Sequence, residues 1–263
     1  VAVGAGVQAT GDYSSAVGVN NVASGERSSA FGFYNSANGD DSNAFGRGNI
    51  ASGDFSSAIG LIGTASGDGS LAVSSWVDRN NDGDITFDLD LDGDSSMDAS
   101  SETALARGTS AVAVGAGVQA TADYSNAVGG LNIASAEFSN AFGAGNKAEG
   151  VVSSAFGSNN TASGEGSSAF GTQNTVKGDL STTFGAINNV EGFRSTALGA
   201  FNKVSADYSS AVGFNNRASG ERSSALGHGG NASGEGSVVV SGGKDLDADG
   251  QVTFDRDIDG DGV

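Results

Sequence analysis

The sequence contains no cysteine and no proline, and it has one histidine, one methionine and one tryptophan among 263 residues. Without cysteine, the chain can form neither a disulfide framework nor a thiolate metal site. Its single histidine, His228, stands at a repeated position that other turns fill with Val19 or Ala144. It therefore does not indicate a Ser-His-Asp catalytic set, and we expect no enzymatic activity.

Positive charge is also scarce, because 12 Lys and Arg residues face 31 Asp and Glu residues, giving a net charge of -19. Nucleic acids and anionic membranes need basic side chains to neutralise phosphate, so we expect neither as a partner. No run of apolar residues approaches the roughly 18 of a membrane span. The chain opens at Val1 within a repeat and without an apolar leader, so we expect a segment of a longer fibre.

Glycine, by contrast, is abundant, with 44 residues, and it marks a repeat of 14 residues. The repeated glycines are Gly4, Gly18, Gly32, Gly46 and Gly60, followed after an interruption by Gly115, Gly129, Gly143, Gly157, Gly171, Gly185, Gly199, Gly213 and Gly227. A short fixed period indicates an array in which each unit packs only on its neighbours. The sequence therefore predicts an all-β parallel β-roll solenoid of 14-residue turns.

Each repeat places a larger apolar residue directly before the glycine and, in most repeats, alanine before that, as in Ala16-Val17-Gly18. Neighbouring residues of a strand point to opposite faces, so both faces of the sheet are apolar. One face fits inside the coil and the other needs a partner, which favours a parallel homo-oligomer. We predict two strands of four to five residues per turn, joined by tight turns.

A column of asparagines stands three residues after the glycines. Asparagine tolerates left-handed backbone and bonds its own turn, and stacked asparagines can also form a ladder. We favour the turn role and keep the ladder as the alternative. The column comprises Asn21, Asn35, Asn49, Asn132, Asn146, Asn160, Asn174, Asn188, Asn202 and Asn216.

A column of acids stands eight residues after the glycines. Stacked turns would hold these carboxylates in one file, where like charges repel. A solvated rim is the simpler interpretation, and recruitment of cations or a basic surface is the alternative. Arg27, Arg194 and Arg222 lie beside the column and would weaken its charge locally. The acids are Asp12, Glu26, Asp40, Asp54, Asp68, Asp123, Glu137, Glu165, Asp179, Asp207, Glu221 and Glu235.

Two acidic inserts divide the chain into a β-roll array over residues 1–74, an insert over 75–108, a second array over 109–241 and an incomplete insert over 242–263. Both inserts follow a serine in place of the repeat glycine, at Ser74 and Ser241. Trp76 stands at the mouth of the first insert, where we expect it to pack as a plug.

The inserts carry the pattern of a calcium loop, with oxygen ligands at positions 1, 3 and 5, glycine at position 6 and a backbone carbonyl at position 7. Position 12 departs from the pattern, because Leu89 and Arg256 replace the acid. A solvated acidic loop is the alternative to Ca²⁺ binding. The candidate ligands are Asp78, Asn80, Asp82, Asp84, Asp88, Asp90, Asp92 and Asp94, and Asp245, Asp247, Asp249, Gln251, Asp255, Asp257, Asp259 and Asp261.

The repeat, as in Ser28-Ser29-Ala30-Phe31-Gly32 and Ala162-Ser163-Gly164-Glu165, resembles the head repeats of trimeric autotransporter adhesins, the YadA-like heads. This resemblance implies a left-handed parallel β-roll, a homotrimer and a position on a bacterial cell surface, with host matrix or neighbouring cells as partners. The inserts resemble the calcium-binding repeats of thrombospondin type 3 and dockerin-like loops.

These observations favour an extracellular structural or adhesive fibre segment, a stiff rod that pairs with itself, joins end to end and is stabilised at its inserts by calcium. The alternative is a ligand-binding module that presents the acidic repeat faces. The apolar outer face demands a partner, but the number three follows from the resemblance alone.

Overall fold

The computed structural model describes residues 1–75 and 103–242. In these residues the chain is an all-β parallel solenoid, in which each turn contributes one strand of four or five residues and one strand of two. The strands form two parallel sheets in which each strand pairs with its counterparts one turn before and one turn after.

The long-strand sheet has 16 strands. They are β1 (Ala2–Ala5), β3 (Ser15–Val19), β5 (Ser29–Phe33), β7 (Asn43–Arg47), β9 (Ser57–Leu61), β11 (Leu71–Ser74), β13 (Val112–Ala116), β15 (Asn126–Gly130), β17 (Asn140–Ala144), β19 (Ser154–Ser158), β21 (Ser168–Thr172), β23 (Thr182–Ala186), β25 (Thr196–Ala200), β27 (Ser210–Phe214), β29 (Ser224–His228) and β31 (Val238–Ser241).

The short-strand sheet has 15 strands. They are β2 (Gln8–Ala9), β4 (Val22–Ala23), β6 (Ser36–Ala37), β8 (Ile50–Ala51), β10 (Thr64–Ala65), β12 (Leu105–Ala106), β14 (Gln119–Ala120), β16 (Ile133–Ala134), β18 (Lys147–Ala148), β20 (Thr161–Ala162), β22 (Thr175–Val176), β24 (Asn189–Val190), β26 (Lys203–Val204), β28 (Arg217–Ala218) and β30 (Asn231–Ala232).

The second strand of each turn is thus shorter than the four to five residues predicted. After Ala23 the chain turns at once, because the amides of Ser24 and Gly25 both donate to the carbonyl of Ala37 in the next turn. A side chain at Gly25 would lie 1.9 Å from the carbonyl oxygen of Gly39. This close stacking leaves room for only two paired residues.

The roll continues in register across the first insert. Leu71 in β11 pairs with Val112 in β13, and Thr64 in β10 pairs with Leu105 in β12. Strand β12 lies within the residues 75–108 that were assigned to the insert from the sequence, so the repeat architecture resumes before residue 109. The roll therefore stacks its two arrays directly on each other.

The interior is narrow and filled mainly by alanine methyl groups. Beyond the first turn, the alanine before the outward apolar residue, such as Ala16 and Ala30, is fully buried, as is the alanine of the short strand, such as Ala23. Val176, Val190 and Val204 replace that alanine in the second array and are also fully buried. In the first turn Ala2 is exposed and Ala9 is half-buried. The prediction that one apolar face lies inside the coil and the other faces outward is confirmed, and the structure places alanine on the inner face and the larger residue on the outer face.

The repeat glycine lies where consecutive turns approach most closely. Gly157 has a φ of +116°, and a Cβ atom added to it would lie 2.0 Å from the carbonyl oxygen of Gly171. No L-residue side chain fits at that distance, and few adopt that φ. The glycine column is therefore a consequence of stacking, which explains why its period is strict.

The asparagine column is a buried ladder, so the turn role that we favoured is not its main one. Asn160 Nδ2 lies 2.9 Å from the Phe156 carbonyl in its own turn and 2.7 Å from the Gly171 carbonyl in the next. Its Oδ1 accepts the main-chain and side-chain amides of Asn174, both at 3.0 Å. The left-handed residue is the preceding one, Asn159, with a φ of 55°.

We expect Asn160→Ala to destabilise the roll by about 2–4 kcal/mol, because it leaves the buried Asn174 amide and two carbonyls without their partner. Thermal or urea unfolding of the full chain measures the change. Asn159→Gly is the matched control, since glycine suits its left-handed backbone and we expect no loss of stability. Equal effects of the two substitutions would contradict a structural role of the ladder.

Candidate interaction face and acidic rim

The outer face of the long-strand sheet carries a continuous apolar stripe. It consists of the residue directly before each repeat glycine, or before the serine that replaces this glycine at Ser74 and Ser241. The side chain of this residue points away from the alanine core. Among its members, Ile59 is 41 % exposed to solvent and Leu198 is 47 % exposed. The apolar stripe comprises Val3, Val17, Phe31, Phe45, Ile59, Val73, Val114, Val128, Phe142, Phe156, Phe170, Phe184, Leu198, Val212, Leu226 and Val240.

Phenylalanine rings stack along the axis within this stripe. The ring centroids of Phe142, Phe156, Phe170 and Phe184 are separated in turn by 4.9, 5.2 and 4.9 Å, and the planes lie within 16° of parallel. Stacking covers the faces of the rings but leaves their outer edges in solvent. An exposed apolar surface that runs along both described arrays is typical of a protein interface.

The acid column is a structural feature as well as a charged one. Asp40 and Asp54 each accept, through Oδ1, the main-chain amide of the residue one repeat earlier, at 2.8 and 2.9 Å. Asp68, Asp123, Asp179 and Asp207 do the same. These charge-assisted bonds offset part of the repulsion within the file. These bonds were not predicted from the sequence, although the frequent aspartate in the column is consistent with an acceptor for main-chain amides.

Two of the three neighbouring arginines pair with acids in this region. Arg27 donates two hydrogen bonds of 2.7 Å to Asp41, and these bonds keep the pKa of the Asp41 carboxyl below its usual value. Arg27 also contacts Glu26. Arg222 lies 2.7 Å from Glu221 and 3.6 Å from Glu235. Arg194 instead lies 5.1 Å above the ring of Phe193. These groups are exposed, so the pairs add little stability.

The predicted calcium ligands, Asp78 to Asp94 and Asp245 to Asp261, lie outside the described residues, as does Trp76. Calcium binding therefore stays a prediction. Within residues 1–75 and 103–242 no three acidic or histidine side chains are grouped so as to hold a metal ion. Over the same ranges the chain has no helix long and apolar enough to cross a membrane.

Comparison with protein families identifies the repeat. A family model described as the YadA head domain repeat matches residues 9–35 and 37–61 in the first array and residues 148–174, 191–216 and 218–240 in the second. YadA head domain repeats are present in both arrays. The matched segments make up just under half of the chain, and a search of curated proteins gave no match.

The YadA head repeat supports an adhesin-type fibre or binding segment, and it is a family of surface-exposed adhesins without a catalytic role. In this chain the matched repeats contain most of the apolar stripe, most of the buried asparagine ladder and most of the acid column. The stripe is therefore the principal candidate interaction face, and the acidic rim is the second.

Proposed function

We propose that this chain is a rod segment of a cell-surface adhesin fibre and that three parallel copies pack side by side through the apolar stripe. The observation that carries the proposal is the stripe itself, which runs along both arrays and stays exposed in a single chain. A monomeric rod would leave this whole surface in water, at a cost of about 25 cal/mol for each Å².

The position of the stripe favours copies that lie side by side with parallel axes. Each turn contributes one apolar residue to the same face, so a second rod covers the stripe only by running along it. The number three rests on the YadA head repeats, whose family supports self-trimerisation. Matrix or cell-surface partners would then meet the outer surfaces of the trimer.

The acidic rim provides less support for the alternative, a module that recognises a ligand through its carboxylates. Six of its aspartates, including Asp40 and Asp179, already accept main-chain amides of the preceding turn. Arg27 and Arg222 contact Glu26 and Glu221. Much of the rim therefore has partners within the chain, whereas the apolar stripe has its outer edges unpaired.

The proposal includes calcium at the two inserts. Alternating aspartates such as Asp78, Asp82 and Asp245 supply the hard oxygen ligands that Ca²⁺ prefers. Because the roll stacks directly across the first insert, calcium bound there would leave the stacking of the described turns unchanged.

We expect the full chain to sediment with the mass of three copies and Phe170→Asp to shift that mass toward one copy. The substitution places a charge within the stacked rings, where a neighbouring rod would bury it. Analytical ultracentrifugation at several concentrations measures both masses. Thr161→Asp is the matched control, because it adds the same charge to the short-strand sheet and should leave the trimer intact.

A wild-type chain that remains monomeric at high micromolar concentration would contradict the proposal. A trimer that Phe170→Asp and Thr161→Asp leave equally intact would show that the stripe is not the interface.

We expect isothermal titration of the full chain with CaCl₂ to show binding that Asp82→Ala and Asp249→Ala each reduce, since each removes a ligand from one insert. Glu137→Gln is the control for the acidic rim and should leave the binding heat unchanged. Absence of binding at millimolar Ca²⁺, or equal loss in Glu137→Gln, would refute calcium loops in the inserts.

A further inference from the structure

Both corners of each turn carry a residue with left-handed backbone, and these corners form two ridges that flank the long-strand sheet. The leading ridge is every fourteenth residue from Tyr13 to Gly69 and from Ser110 to Arg222. The trailing ridge is every fourteenth residue from Gly6 to Ile62 and from Gly117 to Gly229. Each long strand from β3 to β9 and from β13 to β29 thus lies between one residue of each ridge.

Large side chains occupy these corners against their conformational preference. Val152 and Ile187 are β-branched, have φ values of 58° and 56°, and remain 55 % and 42 % exposed. Tyr13, with a φ of 58°, is 88 % exposed. Left-handed backbone costs a non-glycine residue about 1–2 kcal/mol, and glycine does occur at Gly69 and Gly166. Within one chain these side chains gain little burial in return.

The two ridge residues of one level cannot touch within a chain. Arg27 and Tyr34, for example, lie at opposite ends of β5 and are separated by about 20 Å of extended strand. In a ring of parallel copies, however, the leading edge of one sheet faces the trailing edge of the next. Such a contact is heterologous and places the same level of both chains together.

We propose that the leading ridge of each protomer packs against the trailing ridge of its neighbour, level by level, and closes the seams of the assembly. This inference rests on the parallel trimer of the proposed function. It assigns a partner surface to the corners, which the apolar stripe by itself does not cover.

Side-chain chemistry matches across these levels. Phe55 faces Ile62, and Leu180 faces Ile187, so apolar corners meet each other. Where the leading ridge carries arginine at Arg194, the trailing ridge carries the aromatic Phe201, as a cation–π contact requires.

Size is matched as well. The bulky leading corners Phe138 and Arg222 face Gly145 and Gly229. Over the described levels that have both ridge residues, no two glycines stand opposite each other.

A groove in the first array has the form that this seam requires. It has a volume of about 300 Å³ and is lined by Phe33, Tyr34, Arg47, Gly48 and Ile62. Gly48 leaves a gap in the trailing ridge between Tyr34 and Ile62, and the rings of Phe33 and Tyr34 meet edge to face at 4.5 Å.

The leading-ridge residue at the level of Gly48 is Asp41. Across the seam the backbone of Asp41, whose carboxylate is held by Arg27 of its own chain, would lie at the mouth of the groove. The adjacent levels bring Arg27 to Tyr34 and Phe55 to Ile62. The groove therefore suits a second copy of this chain in shape.

The absence of native cysteine permits a direct test by disulfide formation. We would prepare the full chain as Val152→Cys, as Asn159→Cys and as the double variant, and oxidise each with diamide. The double variant places both cysteines at one level, so we expect covalent dimers and trimers on a non-reducing gel. Each single variant should give none, because its cysteine faces a residue other than cysteine in the neighbour.

Tyr13→Cys with Asn20→Cys provides a second matched level, and Val152→Cys with Asn20→Cys is the mismatched control. Cross-linking of both matched pairs, without the mismatched pair, supports the seam. A chain that sediments as a trimer but cross-links in neither matched pair overturns the seam and leaves the trimer standing. Cross-linking of a single variant indicates a two-fold contact and overturns it too, whereas a monomeric chain refutes the proposed function itself.

Discussion

The buried asparagine ladder is the interaction on which the rest of the roll depends. Each amide nitrogen donates to a carbonyl in its own turn and to one in the next turn and, after the first asparagine of each array, also to Oδ1 of the preceding asparagine, as Asn160 does. A buried amide with fewer partners is costly, so every turn must repeat the same geometry. Insertion or deletion of one residue within a turn would break the ladder, whereas an insert that leaves the stack in register does not.

This constraint divides the repeat into a fixed inside and a variable outside. The inside consists mainly of alanine, glycine, serine and asparagine, with valine at Val118, Val176, Val190 and Val204. Consecutive turns approach to the point where a Cβ atom on the repeat glycine would strike a carbonyl. The outside must only keep its backbone conformation, so its side chains can vary with their partners. The apolar stripe, the acidic rim and the two ridges are the outer surfaces left free to determine association.

Period and alternation predicted the solenoid and a sheet with two apolar faces, one of them inside the coil, since these follow from the 14-residue spacing and from strand geometry. They did not assign alanine to the inner face or Phe31 and Val128 to the outer one. They did not predict the two-residue second strand or the burial of Asn21, because the direction of a turn side chain depends on how closely turns stack. The position directly before the asparagine column holds glycine or asparagine in several turns, as at Gly6, Asn20 and Gly48. This composition was the overlooked signal for left-handed backbone. The calcium ligands stand untested, since Asp78 and its counterparts lie outside the described residues.

The mass per unit length of the rod in solution tests the central claim most directly, because it separates side-by-side packing from end-to-end joining. Small-angle X-ray scattering yields it from the cross-section of the particle. With 25.7 kDa in 263 residues and a rise of about 4.8 Å for each turn, three parallel rolls give about 0.9 kDa per Å. A value of about 0.3 kDa per Å would mean a single roll with its apolar stripe in water and would contradict the account.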